Sequence, residues 1–193
     1  MTEIVKADEL IRTLKGSENA LEREQAARAL GHLGDQSSVS ALVEALADPN
    51  KGVRKAVIWA LEQLRDQRLV EGLINDLSHE DPDVRRAIVN ILGEIGDRDA
   101  IDPLCNMLTD ENLYVRKEAI VALALIGDWK AVDPLIDRLQ DSDLYVRQEA
   151  VKALGELGEM RAELPLKALL ENEPELIVRH EIKVALARLA GGD

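Results

Sequence analysis

Few side chains in this chain can do chemistry, and their types and spacing limit what that chemistry is. Two His-Glu pairs occur, His79-Glu80 and His180-Glu181, and an imidazole beside a carboxylate is a donor set for a transition metal. One thiol, Cys105, is the single candidate for nucleophilic or redox work. A third set suits recognition rather than reaction: Trp59, Tyr114 and Tyr145 are three of only four aromatics, and Lys55, Arg86 and Lys117, spaced 31 residues apart, accompany them with Lys152. A fourth set is Arg54, Arg116 and Arg147, each with an aspartate six residues earlier, at Asp48, Asp110 and Asp141. A guanidinium fork so placed can bridge a carboxylate and neighbouring carbonyls. There is no phosphate-cradling glycine loop, and Ser, His and Asp do not come into register.

The elements that must position these residues follow from a repeat. Val53-Arg54, Val84-Arg85, Val115-Arg116, Val146-Arg147 and Val178-Arg179 recur every 31 residues, with one step of 32. A unit of that length holds one antiparallel helix pair that cannot bury its apolar face alone, so units must stack. Leu30, Leu61, Leu92, Leu123, Leu154 and Leu186 each follow an arginine by seven residues. Between these marks the apolar residues keep helical spacing, as in Val84, Ile88, Ile91, Leu92 and Ile95. Asn19, Asn50, Asp81, Asn112 and Asp143 are N-cap residue types, and Gly34, Gly96, Gly127 and Gly158 suit left-handed C-caps. Partner helices follow Asp35, Asp66, Asp97, Asp128 and Glu159, with Leu42, Leu73, Leu104, Leu135 and Leu166 in one column. The pattern predicts twelve helices in six pairs, roughly 3–34, 35–65, 66–96, 97–127, 128–158 and 159–191, as one continuous array over 1–193. The loops near Gly16 and Asn172 hold one extra residue each, and Glu22 and Lys183 replace apolar side chains, as end caps require.

Asp97-Arg98-Asp99-Ala100-Ile101-Asp102-Pro103-Leu104 and Asp128-Trp129-Lys130-Ala131-Val132-Asp133-Pro134-Leu135, with the Val-Arg pairs and Leu92-Gly93-Glu94-Ile95-Gly96, resemble the short HEAT-like repeats of the phycobilin lyase class. The resemblance implies an all-α, right-handed α-solenoid with the Val-Arg helices on its concave face. It also implies an Asp-Arg ladder along the loops, broken where His79 precedes Arg85. One of the Val-Arg motifs, Val178-Arg179-His180-Glu181, resembles the iron-binding motif of deoxyhypusine hydroxylase, another HEAT-like array. That enzyme needs four such motifs; here the positions equivalent to His180 are Glu24, Lys55, Arg86, Lys117 and Gln148. Too few ligands remain for a metal shell.

The groove stripe then comprises Gly52, Lys55 or Ala56, Trp59 and Gln63, followed by Asp83, Arg86, Asn90 and Glu94. The next two helices add Tyr114, Lys117 or Glu118, Val121 and Leu125, and Tyr145, Gln148 or Glu149, Lys152 and Glu156. Expected contacts for a protein partner are Trp59, Tyr114, Val121 and Tyr145, flanked by Lys55, Arg86, Lys117 and Lys152. The alternative for the tyrosines and Trp59 is packing over each other and over arginine stems. A net charge of −13 repels nucleic acid, and the longest apolar run, Ala119 to Ile126, is too short to span a bilayer. With no signal-peptide pattern in Met1 to Lys15, a cytoplasmic location is expected. Cys105 shares a column with Val43, Ile74 and Ile136, so it is expected as a small core hydrophobe. The expectation is a non-catalytic protein-interaction module with no cofactor and no catalytic residue. The resemblance leaves two alternatives, handling of a bilin or phycobiliprotein, for which no nucleophile is evident, and the hydroxylase-like metal enzyme.

Overall fold

The computed structural model describes residues 2–64 and 69–191. Among them are twelve α-helices and no strand. The start of the third repeat at Asp66 lies outside the described residues. The Val-Arg helices and their counterpart at the N-terminus are α2 (Ala20–Leu33), α4 (Lys51–Leu64), α6 (Pro82–Ile95), α8 (Leu113–Ile126), α10 (Leu144–Leu157) and α12 (Leu176–Leu189). Between them lie α1 (Thr2–Gly16), α3 (Val39–Glu44), α5 (Leu69–Asn75), α7 (Ile101–Met107), α9 (Val132–Asp137) and α11 (Glu163–Asn172). The chain forms two compact units, Met1–Ile91 and Leu92–Asp193. In the first, α2 packs on α4 and on α1, and α3 on α4 and α5. In the second, α8, α10 and α12 pack side by side, with α7, α9 and α11 behind them.

The caps appear where the residue types place them. Asn19, Asn50, Asp81, Asn112 and Asp143 each accept the N–H two residues on, at 2.8–3.0 Å. Each acceptance satisfies one of the donors that a helix start leaves orphaned. The last Val-Arg helix begins at Glu175, whose side chain makes no cap bond. Gly34, Gly96, Gly127 and Gly158 close their helices at φ 66–73°, each donating to the leucine carbonyl four residues back. The intervening helices are shorter than a periodicity count suggests. Four of them, α3, α7, α9 and α11, start in 3₁₀ turns such as Arg98–Ala100, and α3, α5 and α9 end in one, such as Arg138–Gln140. Pro103, Pro134 and Pro165 sit in their first α turns, where a missing N–H costs nothing.

Each unit's core is the inner leucine and alanine surface shared by its two layers. Leu30, Leu61, Leu92, Leu123 and Leu154 are fully buried, as are Leu42, Leu73, Leu104, Leu135 and Leu166. Only Leu186 and Leu170, in the last pair, are part-exposed at their columns. The arginine staples close the loop edge. Arg116 Nε and Nη2 donate to both oxygens of Asp141 at 2.9 and 3.0 Å, and its Nη1 donates to the Asp110 and Glu111 carbonyls. Arg23 and Arg147 repeat this with Asp48 and Glu173. So the aspartate six residues before an arginine offers that arginine its carbonyl, while its carboxylate serves the arginine of the preceding repeat. At the break in the ladder, Arg54 pairs with Asp81 instead, and His79 Nδ1 accepts the Asp81 N–H at 3.0 Å. Asp48, Asp110 and Asp141 supply an oxygen for that work in three other loops, Ser17 Oγ does so in the first and Glu173 Oε1 in the last. Burial pushes the Asp141 carboxyl upward, but hydrogen bonds from Arg116 and the Asp143 N–H, with the nearby cationic charge, outweigh it and hold it below the usual carboxylate range.

Candidate functional site: the exposed face of the Val-Arg helices

A helix in a two-layer stack buries one stripe and leaves the opposite stripe to solvent. On α8 that outer stripe is Tyr114, Glu118, Val121 and Leu125; on α10 it is Tyr145, Glu149, Lys152 and Glu156. Tyr114, Leu125 and Tyr145 are 62%, 61% and 53% exposed, far from the burial that core packing would give them. Lys117 Nζ lies 5.5 Å from the Tyr145 ring centroid, so a cation on one helix already rests on an aromatic of the next. Val121 and Lys152 come together in a pocket of about 260 Å³ between α8 and α10, with Ile120, Ala124, Leu125, Glu149, Ala153 and Glu156.

That pocket has a correlate in the sequence. Gly93 and Gly155 let their helices approach so closely that a Cβ on either would meet Ala122 at 2.6 Å or Ala185 at 2.9 Å. At the α8–α10 seam the equivalent position is Ala124, one of the residues that line the pocket. Helical spacing points to the stripe, and alanine in place of glycine at this position accompanies the pocket. The outer stripe of α12, Ile177, Glu181, Val184 and Arg188, was not among the expected contacts.

In the first unit Trp59 is only part-exposed. Its ring contacts His32 at 4.8 Å between centroids, and a Cβ on Gly31 would stand 2.8 Å from it. The tryptophan is thus seated across the α2–α4 seam with one edge outward. Lys55 and Arg86 are exposed, and Lys51 pairs with Asp83 nearby at 2.8 Å. Ala56, offered as an alternative to Lys55 in the stripe, is fully buried. Trp129 is exposed in its 3₁₀ turn but has company: the Arg161 guanidinium lies 5.3 Å from its ring centroid, and Arg161 also holds Asp133.

The reactive candidates are placed less favourably for chemistry. Cys105 is half-buried, and burial with the neighbouring Asp102 charge pushes its thiol up to about 11. His180 is exposed on α12, and His79 is occupied in the loop. Among the described residues no three His, Cys, Asp or Glu side chains converge on one point, and no helix is long and apolar enough to cross a membrane. Wider clefts of about 640 and 580 Å³ open beside the lengthened loops near Gly16 and Asn172, lined by the Arg23–Asp48 and Arg147–Glu173 pairs.

A family model of HEAT repeats matches residues 7–75, 70–137 and 102–187. The chain is a HEAT repeat protein. No curated protein matches it. Among solved structures, YibA of Escherichia coli is similar at 23% identity and TM-score 0.67, over 97% of this HEAT repeat chain and 69% of that one. The complex of CpcE and CpcF of phycocyanin lyase from Nostoc sp. PCC7120 is similar at 26% identity and TM-score 0.52, over 96% and 83%. A designed armadillo repeat protein in complex with the peptide (KR)4 is similar at 21% identity and TM-score 0.63, over 94% and 98%. These likenesses give the fold as an all-helical solenoid of the HEAT and armadillo type.

Proposed function

We propose that this HEAT repeat protein is a non-catalytic interaction module that grips a protein partner through the outer face of its Val-Arg helices. The contacts are Tyr114, Val121 and Tyr145 with Lys117 and Lys152 in the second unit, and Trp59 with Lys55 and Arg86 in the first. The observation that carries the reading is the exposure of Tyr114, Leu125 and Tyr145 on one face beside a pocket of mixed apolar and charged lining. A surface kept only for solubility has no use for such residues, whereas interfaces are enriched in them. The peptide-bound designed armadillo protein and the CpcE–CpcF complex support it, since arrays of this fold present binding faces to other chains. Replacing Tyr114 and Tyr145 together by alanine tests it. Helical content and melting are expected to stay within error, while capture of the co-purifying partner is lost; retained capture would sink the proposal.

A second reading, pigment handling, has the phycocyanin lyase likeness in its favour. The 260 Å³ pocket falls below the roughly 300–1,000 Å³ typical of small-molecule sites, and the Cys105 thiol is poorly suited to attack. Adding a bilin and following its absorption and fluorescence tests this reading, and an unchanged spectrum removes it.

A further inference from the structure

Three helices of the second unit carry equivalent outer stripes, and together they define a chemistry for the occupant. Aligned on Val115, Val146 and Val178, the stripes give four rows across α8, α10 and α12. The first row is Tyr114, Tyr145 and Ile177; the second is Glu118, Glu149 and Glu181; the third is Val121, Lys152 and Val184; the fourth is Leu125, Glu156 and Arg188. All three second-row glutamates are part-exposed, at the same depth on adjacent helices. In the first unit the matching row is Gln25, Ala56 and Ala87, so the carboxylates belong to the second unit alone. Glu118 already has an interaction within the molecule, whereas Glu149, Glu156, Glu181 and Lys152 form no ion pair or side-chain hydrogen bond among the described residues. On a helix surface where Arg28 pairs with Glu24 and Lys167 with Glu163 at i, i+4 spacing, such charges are open to an external partner.

Two further observations fix the kind of partner. Tyr114 and Glu118, and Tyr145 and Glu149, are i, i+4 neighbours, so each ring stands beside a carboxylate, a setting that attracts a cation on both counts. Lys117 over Tyr145 displays that attraction within the molecule. Glu149 also lines the pocket between α8 and α10, where Ile120, Val121, Ala124, Leu125 and Ala153 offer apolar surface to an aliphatic side chain. Packed helices stand about 8–10 Å apart, and an extended chain advances about 3.3 Å per residue, so a strand crossing them meets a new helix about every third residue.

We propose that the α8–α10–α12 face binds an extended cationic polypeptide segment, with Lys or Arg about three residues apart on Glu149 and Glu181 and an aliphatic side chain against Val121, Ala124, Leu125 and Ala153 in the pocket that Glu149, Lys152 and Glu156 also line. This rests on the reading of the face as a protein-binding surface and names the occupant. The charge of the whole chain favours the encounter, and the spacing of the row selects the sequence.

The test uses the full chain and fluorescein-labelled synthetic peptides, followed by anisotropy at about 0.15 M salt. The probe is four repeats of Lys-Ser-Leu; its controls are four repeats of Glu-Ser-Leu, and a peptide of the probe's composition with its lysines clustered at one end. The periodic cationic peptide is expected to bind, the acidic one not, and the clustered one about tenfold more weakly. Combining Glu149→Gln and Glu181→Gln should weaken binding about tenfold or more, since each removes a charge-assisted contact. Ala124→Met, which fills the pocket without changing charge, should also weaken it about tenfold, with circular dichroism verifying the fold of both variants. Equal binding of the clustered and periodic peptides, or equal binding by wild type and variants, would reduce the effect to general attraction by an acidic protein and overturn the proposal. So would failure of the periodic peptide to bind, and in that case the interaction reading still stands or falls by the tyrosine variants.

Discussion

Arg116 offers the sharpest test of how neighbouring repeats are joined. Its side chain is 13% exposed and that of Asp141 6%, and the two make a bidentate pair while Nη1 serves two loop carbonyls. Truncating one member of a buried pair leaves the other charged and unsatisfied, at a cost of about 3–5 kcal/mol. The loop edge admits some water, so Arg116→Met should fall near the lower bound, about 3 kcal/mol. For a chain of this length that lowers Tm by about 6–12 °C. Thermal melts at 222 nm measure it, with Lys51→Ala as the control, because the Lys51–Asp83 pair is mostly exposed and its loss should leave Tm within error. Adding Asp141→Asn to Arg116→Met removes the stranded charge while keeping an oxygen for the Asp143 N–H, 3.0 Å away. The double variant should therefore recover at least half of the loss. If Arg116→Met costs no more than Lys51→Ala, the arginines are surface decoration and the staple account is wrong.

Acid should loosen the same joints. Burial raises the Asp48 and Asp141 carboxyls, but arginine and backbone hydrogen bonds with nearby cationic charge together outweigh it, and at Glu173 the Arg147 bond leads, so all three lie below their ordinary values; their stabilisation is complete above the unfolded values of about 4 and fades as pH falls through the lower folded ones. Tm measured from pH 7 to 2 should stay level on their account to about pH 4 and then drop, and Arg116→Met should flatten that drop; a steeper drop in the variant would contradict the linkage. The close seams make a graded series. Gly93→Ala should cost about 1–3 kcal/mol and Gly155→Ala less, as their Cβ atoms would meet Ala122 and Ala185, whereas Gly72→Ala, 3.5 Å from Val43, should gain about 0.5–1 kcal/mol; urea midpoints read all three. With its thiol near 11, Cys105 should react with iodoacetamide far more slowly at pH 7 than a free cysteine of pKa about 8.5, and the rate should still be rising at about pH 10.

Much of the fold was legible because each repeat states the same rules again. The N-cap residues, the left-handed glycines and the leucine columns act locally, and each recurs often enough for chance to be excluded. What escaped was non-local. Which carboxylate an arginine takes depends on how the next loop is placed, so Asp48 looked like the partner of Arg54 when it holds Arg23. The seat of Trp59 depends on the missing side chain at Gly31 across a helix seam, and the pocket beside Leu125 is lined by residues of two helices, α8 and α10. Among the candidate contacts, helical rotation placed the tyrosines on the outer stripe correctly. It could not tell that Lys117 would lie over Tyr145, because that contact crosses from one helix to the next.

The central claim, that the outer face of the Val-Arg helices holds a partner, is tested most directly by photo-crosslinking. Benzoylphenylalanine at Tyr145 is compared with the same residue at Lys167, on α11 of the opposite layer. The account predicts a crosslinked protein of defined mass from position 145 and none from 167. Equal crosslinking from both positions, or crosslinking from 167 alone, would contradict it.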